Sequence, residues 1–358
     1  MAEGIDAEKE RSMKRILLIV NIIILAIGVC GGPLILRLYF IHGGSRVWLS
    51  STLQTAGFPI ILLPLTIAYI IRRRDFYSTT TTNAEKPKMV NMKLPLFLAS
   101  SFVGLLLGVD DYLYSYGVAR LPVSTSALIV ASQLAFTAIF AFFMVKQKFT
   151  AFSINAVFLL TLASGVLALN SSGDRPAGES NKQYLLGFIM TLLAAMLYGF
   201  VLPLVELVYK KTNQDITFAV VLEIQFVMSL AATIFSVIGM TVISREARNY
   251  GLGETTYYVV LVVSAIIWQL GFLGSLGVIY CASSLLSGIM VAVSVPITEV
   301  LAIIFYKEKF KAEKGVSLVL AAWGFVSYFY GEYKQAKRIP NEPIPEPELA
   351  QNHSVLEP

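Results

Sequence analysis

Five carboxylates, Asp110, Asp111, Glu206, Glu223 and Glu299, lie inside long uncharged runs or at their ends. A carboxylate held away from water favours its neutral form, so it can take up and release a proton near neutral pH. An ionisable group inside a bilayer costs several kcal/mol and marks a functional position by default. No other titratable type can take that work here. His42 and His353 lie outside the apolar runs, and every Lys and Arg lies outside them or at their very ends. Proton coupling within the runs therefore falls to Glu223, Glu299 or Asp110. Glu223 ranks first because Gln225 adds polarity to the same stretch. Asp110 ranks third because adjacent helical residues point to different faces, so it or Asp111 points inward, not both. For each carboxylate a structural hydrogen bond to a neighbouring helix is the competing role.

Uncharged polar and aromatic groups offer a second chemistry. Ser126, Gln133 and Thr137 are spaced by seven and four residues, which puts them on one helix face. An offset of 161 maps them onto Ser287, Ser294 and Thr298, again one face. Two such stripes suit a cavity lined from both sides, although small hydroxyls also serve as glue between membrane helices. Trp268-Gln269 lies deep in another apolar run. A Trp and a Gln together suit a planar, hydrogen-bonding heterocycle: the ring stacks and the amide reads its edge. The expected substrate site is therefore Gln133, Thr137, Trp268, Gln269, Ser294 and Thr298. Tyr112 and Tyr114 fit either that site or an interfacial aromatic belt.

The elements that carry these residues follow from composition. The chain has 358 residues, 56% of them hydrophobic and 14% charged. Crossing a bilayer takes roughly 20 apolar residues, and runs of that length recur along the whole chain. The expected spans are 16–37, 48–71, 94–118, 123–145, 150–169, 184–209, 218–243, 257–280, 285–306 and 316–331. Pro59 and Pro64 bend the second, Pro203 the sixth and Pro296 the ninth, and Gly31-Gly32-Pro33 weakens the end of the first. The connection 72–93 reads as a mobile loop, and the Pro- and Glu-rich tail 332–358 as disordered and cytoplasmic.

The two halves resemble each other. Gly117-Val118 and Lys146-Gln147-Lys148-Phe149 recur as Gly277-Val278 and Lys307-Glu308-Lys309-Phe310. The expected fold is an all-α membrane protein of ten transmembrane helices, arranged as two five-helix repeats. These are 16–169 and 184–331, joined by a loop at 170–183. Five is odd, so the second copy is inverted, the arrangement common in secondary transporters. With the N-terminus 1–15 in the cytoplasm, 17 of the 28 Lys and Arg fall on that side and 11 on the other. Four of the 11 are Lys307, Lys309, Lys311 and Lys314, which an inverted copy of the first half carries to the wrong face. Both termini are expected in the cytoplasm.

Several classes drop out. The net charge of +5 is spread over connections, so it signals topology and not a nucleic-acid surface. There is no P-loop, H-E-x-x-H or G-x-S-x-G motif, and Gly108-Val109-Asp110-Asp111 lacks the matching aspartate of an intramembrane protease. The two cysteines, Cys30 and Cys281, make neither a disulfide framework nor a zinc site. No enzyme activity, cofactor, metal or obligate protein partner is expected. A passive facilitator or a non-transporting receptor for the same compounds is the alternative to an active carrier.

Three long strings carry a resemblance. CGGPLILRLYFIHGGSRVWLSSTLQTAGFPIILLPL stands near the start and VDDYLYSYGVARLPVSTSALIVASQLAFTAIFAFFMVKQKF in the middle. CASSLLSGIMVAVSVPITEVLAIIFYKEKFKAEKGVSLVLAAWGFVSYFYGEYK stands near the end. Over roughly Asn21–Tyr333 they resemble the plant purine permeases, of the drug/metabolite transporter superfamily. The resemblance implies ten helices in two inverted repeats. It also implies proton-coupled import of adenine, cytokinins or related alkaloids and vitamers, at the plasma membrane by default.

Overall fold

The structure is a computed structural model. It describes residues 2–78, 88, 90–121, 126, 129–130, 132–169, 181–240, 251–306 and 312–338. The described residues are helical apart from short connections. In chain order the helices are α1 (Ala2–Ile41), α2 (Val47–Thr55), α3 (Leu62–Ser78), α4 (Leu94–Val118), α5 (Gln133–Val145) and α6 (Ala151–Leu169). They continue with α7 (Asn181–Lys211), α8 (Phe218–Gly239), α9 (Glu254–Cys281), α10 (Ser284–Tyr306) and α11 (Ala312–Arg338). Seven helical stretches are long and apolar enough to cross a membrane, and Gln133–Val145, Ala151–Ala163 and Gly315–Gly331 are shorter apolar helices. Large apolar side chains such as Phe143, Ile238 and Val319 point outward, as lipid requires.

Four expectations need correction. The polar N-terminus does not stand apart from the first span. Glu, Lys, Arg, Met and Ala, all strong helix formers, dominate residues 2–15, so α1 begins at Ala2. Gly31-Gly32-Pro33, expected to weaken the end of that helix, leaves it continuous through Pro33 to Ile41. Here tertiary packing outweighs propensity, because Gly31 and Gly32 lie against Ile267 and Trp268 of α9. The second span, expected to bend at Pro59, is broken there: Pro59 sits in a 3-10 turn, Phe58–Ile61, between α2 and α3. Finally, α3 extends to Ser78 and α11 to Arg338, shortening the connection and the tail read from sequence. The tail beyond 338 and the start of the fourth expected span lie mostly outside the described residues.

The helices pack through small residues, as expected where lipid supplies no hydrophobic drive. α1 lies along α9 and α10, and α7 lies along α4 and α5. α4 packs on α2 and α8, α9 on the same two, α5 on α10, and α6 on α11. The α1–α9 seam brings backbones together: a methyl at Gly28 would overlap the backbone of Gly271. Gly277 packs on Asn21 of α1, and Gly117 packs on Thr191 of α7. One apolar core gathers Leu25, Leu134, Leu160 and Ile289, and a second gathers Leu107, Val221, Met228 and Phe272.

Candidate functional site

α4 brings two kinds of residue into the bundle on two faces. Gly104 and Gly108 let it approach Met228, Ala232 and Phe235 of α8, and Asp111 and Ser115 continue that face. Asp110 and Tyr114 follow on the adjoining face. Tyr114 meets Trp268 of α9 edge-on, with ring centroids 5.9 Å apart, and Trp268 lies 6.3 Å from Phe272. Tyr198 of α7 is 6.2 Å from Phe272 and reaches Ser275. Tyr114, Tyr198 and Trp268 are each half-buried.

Around this aromatic group, buried polar atoms lack partners within the protein. Among the described residues they are Asp110 Oδ1, Trp268 Nε1 and both polar atoms of Gln269, while Asp111 Oδ1 and Oδ2, also without partners, lie on the α8-facing side of α4 and not in this group. Gln133 Nε2, on α5, is in the same condition. Leaving a buried polar atom unmatched costs about 1–3 kcal/mol. Both donors and acceptors are on offer, which is what a heterocycle edge carrying N–H groups and ring nitrogens would engage.

The other sequence-predicted residues divide. Gln269 lies under Gly57, where a methyl would collide with it, so that glycine brings the turn after α2 close. Ser294 and Thr298 of α10 donate their hydroxyls to Met290 O and Ser294 O, each at 2.8 Å. Cys30 of α1 also points at Ser294 O, at 3.7 Å. Cys30 and Gly32 on α1 thus link the Ser294 wall to Trp268. Thr137 donates to Gln133 O at 2.9 Å and packs against Gly288 of α10, an interhelical packing position. Gln133 borders α7 at Gly199. No contact joins Gln133 directly to Trp268 among those described.

The glutamates are placed differently. Glu223 is buried near the start of α8, and both its oxygens accept backbone N–H groups from the α3–α4 connection. Asn91 N approaches them at 3.1 and 2.9 Å, and Met92 N at 2.9 Å. Glu206 accepts Ser284 N at 2.7 Å, capping α10, and pairs with Lys210 at 2.7 Å. Glu299 lies on α10, and its side chain falls outside the described residues. Hydrogen bonds to charged groups contribute about 1.5–3 kcal/mol each. Glu223→Ala should therefore lower thermal stability in detergent by an amount of that order. If its stability matches wild type while gradient-driven uptake is lost, coupling returns to Glu223.

Sequence reasoning missed three members. Gln54 of α2 donates to Asp111 O at 3.1 Å and to Ser115 Oγ at 2.9 Å. Tyr198 and Cys30 complete the group. Gln54 was discoverable as an amide in an apolar run; nothing in sequence distinguishes Tyr198 from any other membrane tyrosine.

A bundle of apolar helices around buried polar side chains defines an α-helical membrane protein with a polar interior. The chain belongs to the purine permease family: the family profile for purine nucleobase transmembrane transport matches residues 16–338. Purine permease 3 of Arabidopsis thaliana is 55% identical over 331 residues, spanning 91% of this chain and 93% of that protein. Purine permease 2 of the same plant is 54% identical over 343 residues, with 91% and 94% covered. A solved crystal structure of a protein superposes on 92% of this chain and 99% of its own with a TM-score of 0.59. At 11% identity that likeness concerns the fold alone.

Proposed function

We propose that the chain is a secondary active transporter that imports purine-like nitrogen heterocycles together with protons. The observation that carries this reading is the set of unmatched buried donors and acceptors beside the half-buried Trp268, Tyr114 and Tyr198. Trp268 stacks the ring, and Gln269 and Gln133 read its edge, with Ser294 and Thr298 on the opposing wall. Asp110 carries the proton. Its Oδ1 is buried and has no partner among the described residues, whereas Glu223 spends both oxygens on backbone.

The architecture proposed is ten spans in two inverted repeats, α1–α6 and α7–α11. Packing supports it. Exchanging the halves turns α1 on α9 into α7 on α4, α1 on α10 into α7 on α5, and α4 on α8 into α9 on α2. The repeated glycines agree: Gly277 meets Asn21 on the first helix of one half, and Gly117 meets Thr191 on the first helix of the other. The charge distribution supports cytoplasmic termini, and the family resemblance supports the plasma membrane.

Binding tests the site. The purified protein should bind labelled adenine saturably, with other purine-like bases competing. Gln133→Ala should weaken affinity about 5–150-fold, the equivalent of roughly 1–3 kcal/mol for a lost buried hydrogen bond. Wild-type affinity in that variant, or no saturable binding by wild type, contradicts the assignment.

A further inference from the structure

We infer that Asp111 is the second member of the proton site, receiving the proton from Asp110 and holding it on the adjoining face of α4, toward α8. The inference rests on the transport reading above and adds a residue to it. Asp111 is 1% exposed, and neither of its carboxylate oxygens has a partner. A fixed structural carboxylate in this protein looks different: Glu223 and Glu206 have their oxygens engaged by backbone N–H groups or a lysine. Gln54 holds the main chain at Asp111 and the hydroxyl of Ser115, and leaves the carboxylate itself free.

The surroundings of the pair are uncharged. Tyr114 on α4 and Tyr198 on α7 are the titratable groups facing it. α8 presents Met228, Ala232 and Phe235 at this level, α2 presents Gln54, and α9 presents Trp268. Among the described residues no Lys, Arg or His acts on either aspartate, and Asp110 acts on Asp111. Two neighbouring carboxylates in such a place do not both carry charge, so they titrate as a unit around one proton. In the transfer the O–H bond at Asp110 breaks as one forms at Asp111, and the negative charge moves the other way. Asp111 then faces α2 and α8, where hydroxyls meet in pairs: Ser51 with Ser236 at 3.1 Å, and Thr55 with Thr233 at 3.0 Å. That seam is a polar way out that does not cross the substrate site.

The experiment compares Asp111→Asn with wild type in proteoliposomes, using labelled adenine. Accumulation on an inward proton gradient should fall at least tenfold, while exchange at equal pH and equilibrium affinity stay within about threefold. Wild-type accumulation in the variant overturns the inference, and so does loss of exchange and affinity together, which would make Asp111 a binding or structural residue. Wild type failing to accumulate adenine at all would instead sink the transport reading. The native protein gives a second measurement that needs no variant. Dicyclohexylcarbodiimide, an apolar reagent for protonated carboxyls, should modify the peptide containing Asp110 and Asp111 increasingly as pH falls. No adduct there at any pH overturns the inference.

Discussion

With asparagine in place of Asp110, accumulation of adenine on an inward proton gradient should fall to a ratio near one, while exchange continues. One pH unit is worth about 1.36 kcal/mol per proton, so a one-proton carrier concentrates its substrate about tenfold per unit. Asparagine keeps the size of the aspartic acid and stays neutral at every pH. It therefore mimics the proton-loaded state permanently, and substrate moves only down its own gradient. Wild-type uptake should rise as external pH falls, because loading requires the protonated carboxyl, and the variant's uptake should be flat over the same range. The effect is large because Asp110 is 7% exposed and its Oδ1 has no partner among the described residues. Pump-like accumulation in Asp110→Asn would move the proton to another carboxylate.

Trp268→Ala should raise the adenine KM about 5–150-fold with little change in maximal rate. Stacking of a base on an aromatic side chain is worth about 1–3 kcal/mol by alanine substitution, and 1.4 kcal/mol is a factor of ten. Loss of an interaction made equally at every stage of the cycle raises KM and spares the rate. Trp268 also packs on Gly32, Tyr114 and Phe272, so part of any loss could come from a collapsed wall. Trp268→Phe separates the two, because it keeps a stacking face and most of the volume while removing the unmatched Nε1. It should recover most of the affinity. A KM in Trp268→Ala equal to wild type would place the ring elsewhere.

The helices were legible because each is an uncharged run flanked by basic connections, and the bilayer allows little else to such runs. Their breaks were less so. Gly31-Gly32-Pro33 reads as a weakened helix end, yet the glycines serve the approach of α9, a partner 235 or more residues away that no local pattern reveals. Site residues followed the same division. Trp268-Gln269 and Gln133 stood out by cost alone, since bulky polar groups in apolar runs need a reason. The carboxylates were visible, but their ranking was not. Glu223 and Asp110 look alike in sequence, and differ because Asn91 and Met92 fold back onto one while nothing caps the other. Thr137 fitted the stripe and proved to be packed against Gly288, the ordinary fate of a small hydroxyl between membrane helices.

Purified protein in proteoliposomes, given labelled adenine and an imposed pH gradient, tests the central claim most directly. With the exterior acidic, internal adenine should rise about tenfold above the external level per pH unit for one proton carried, then collapse when a protonophore is added. Uptake that stops at equal concentrations, with or without the gradient, would contradict the account and leave a passive facilitator.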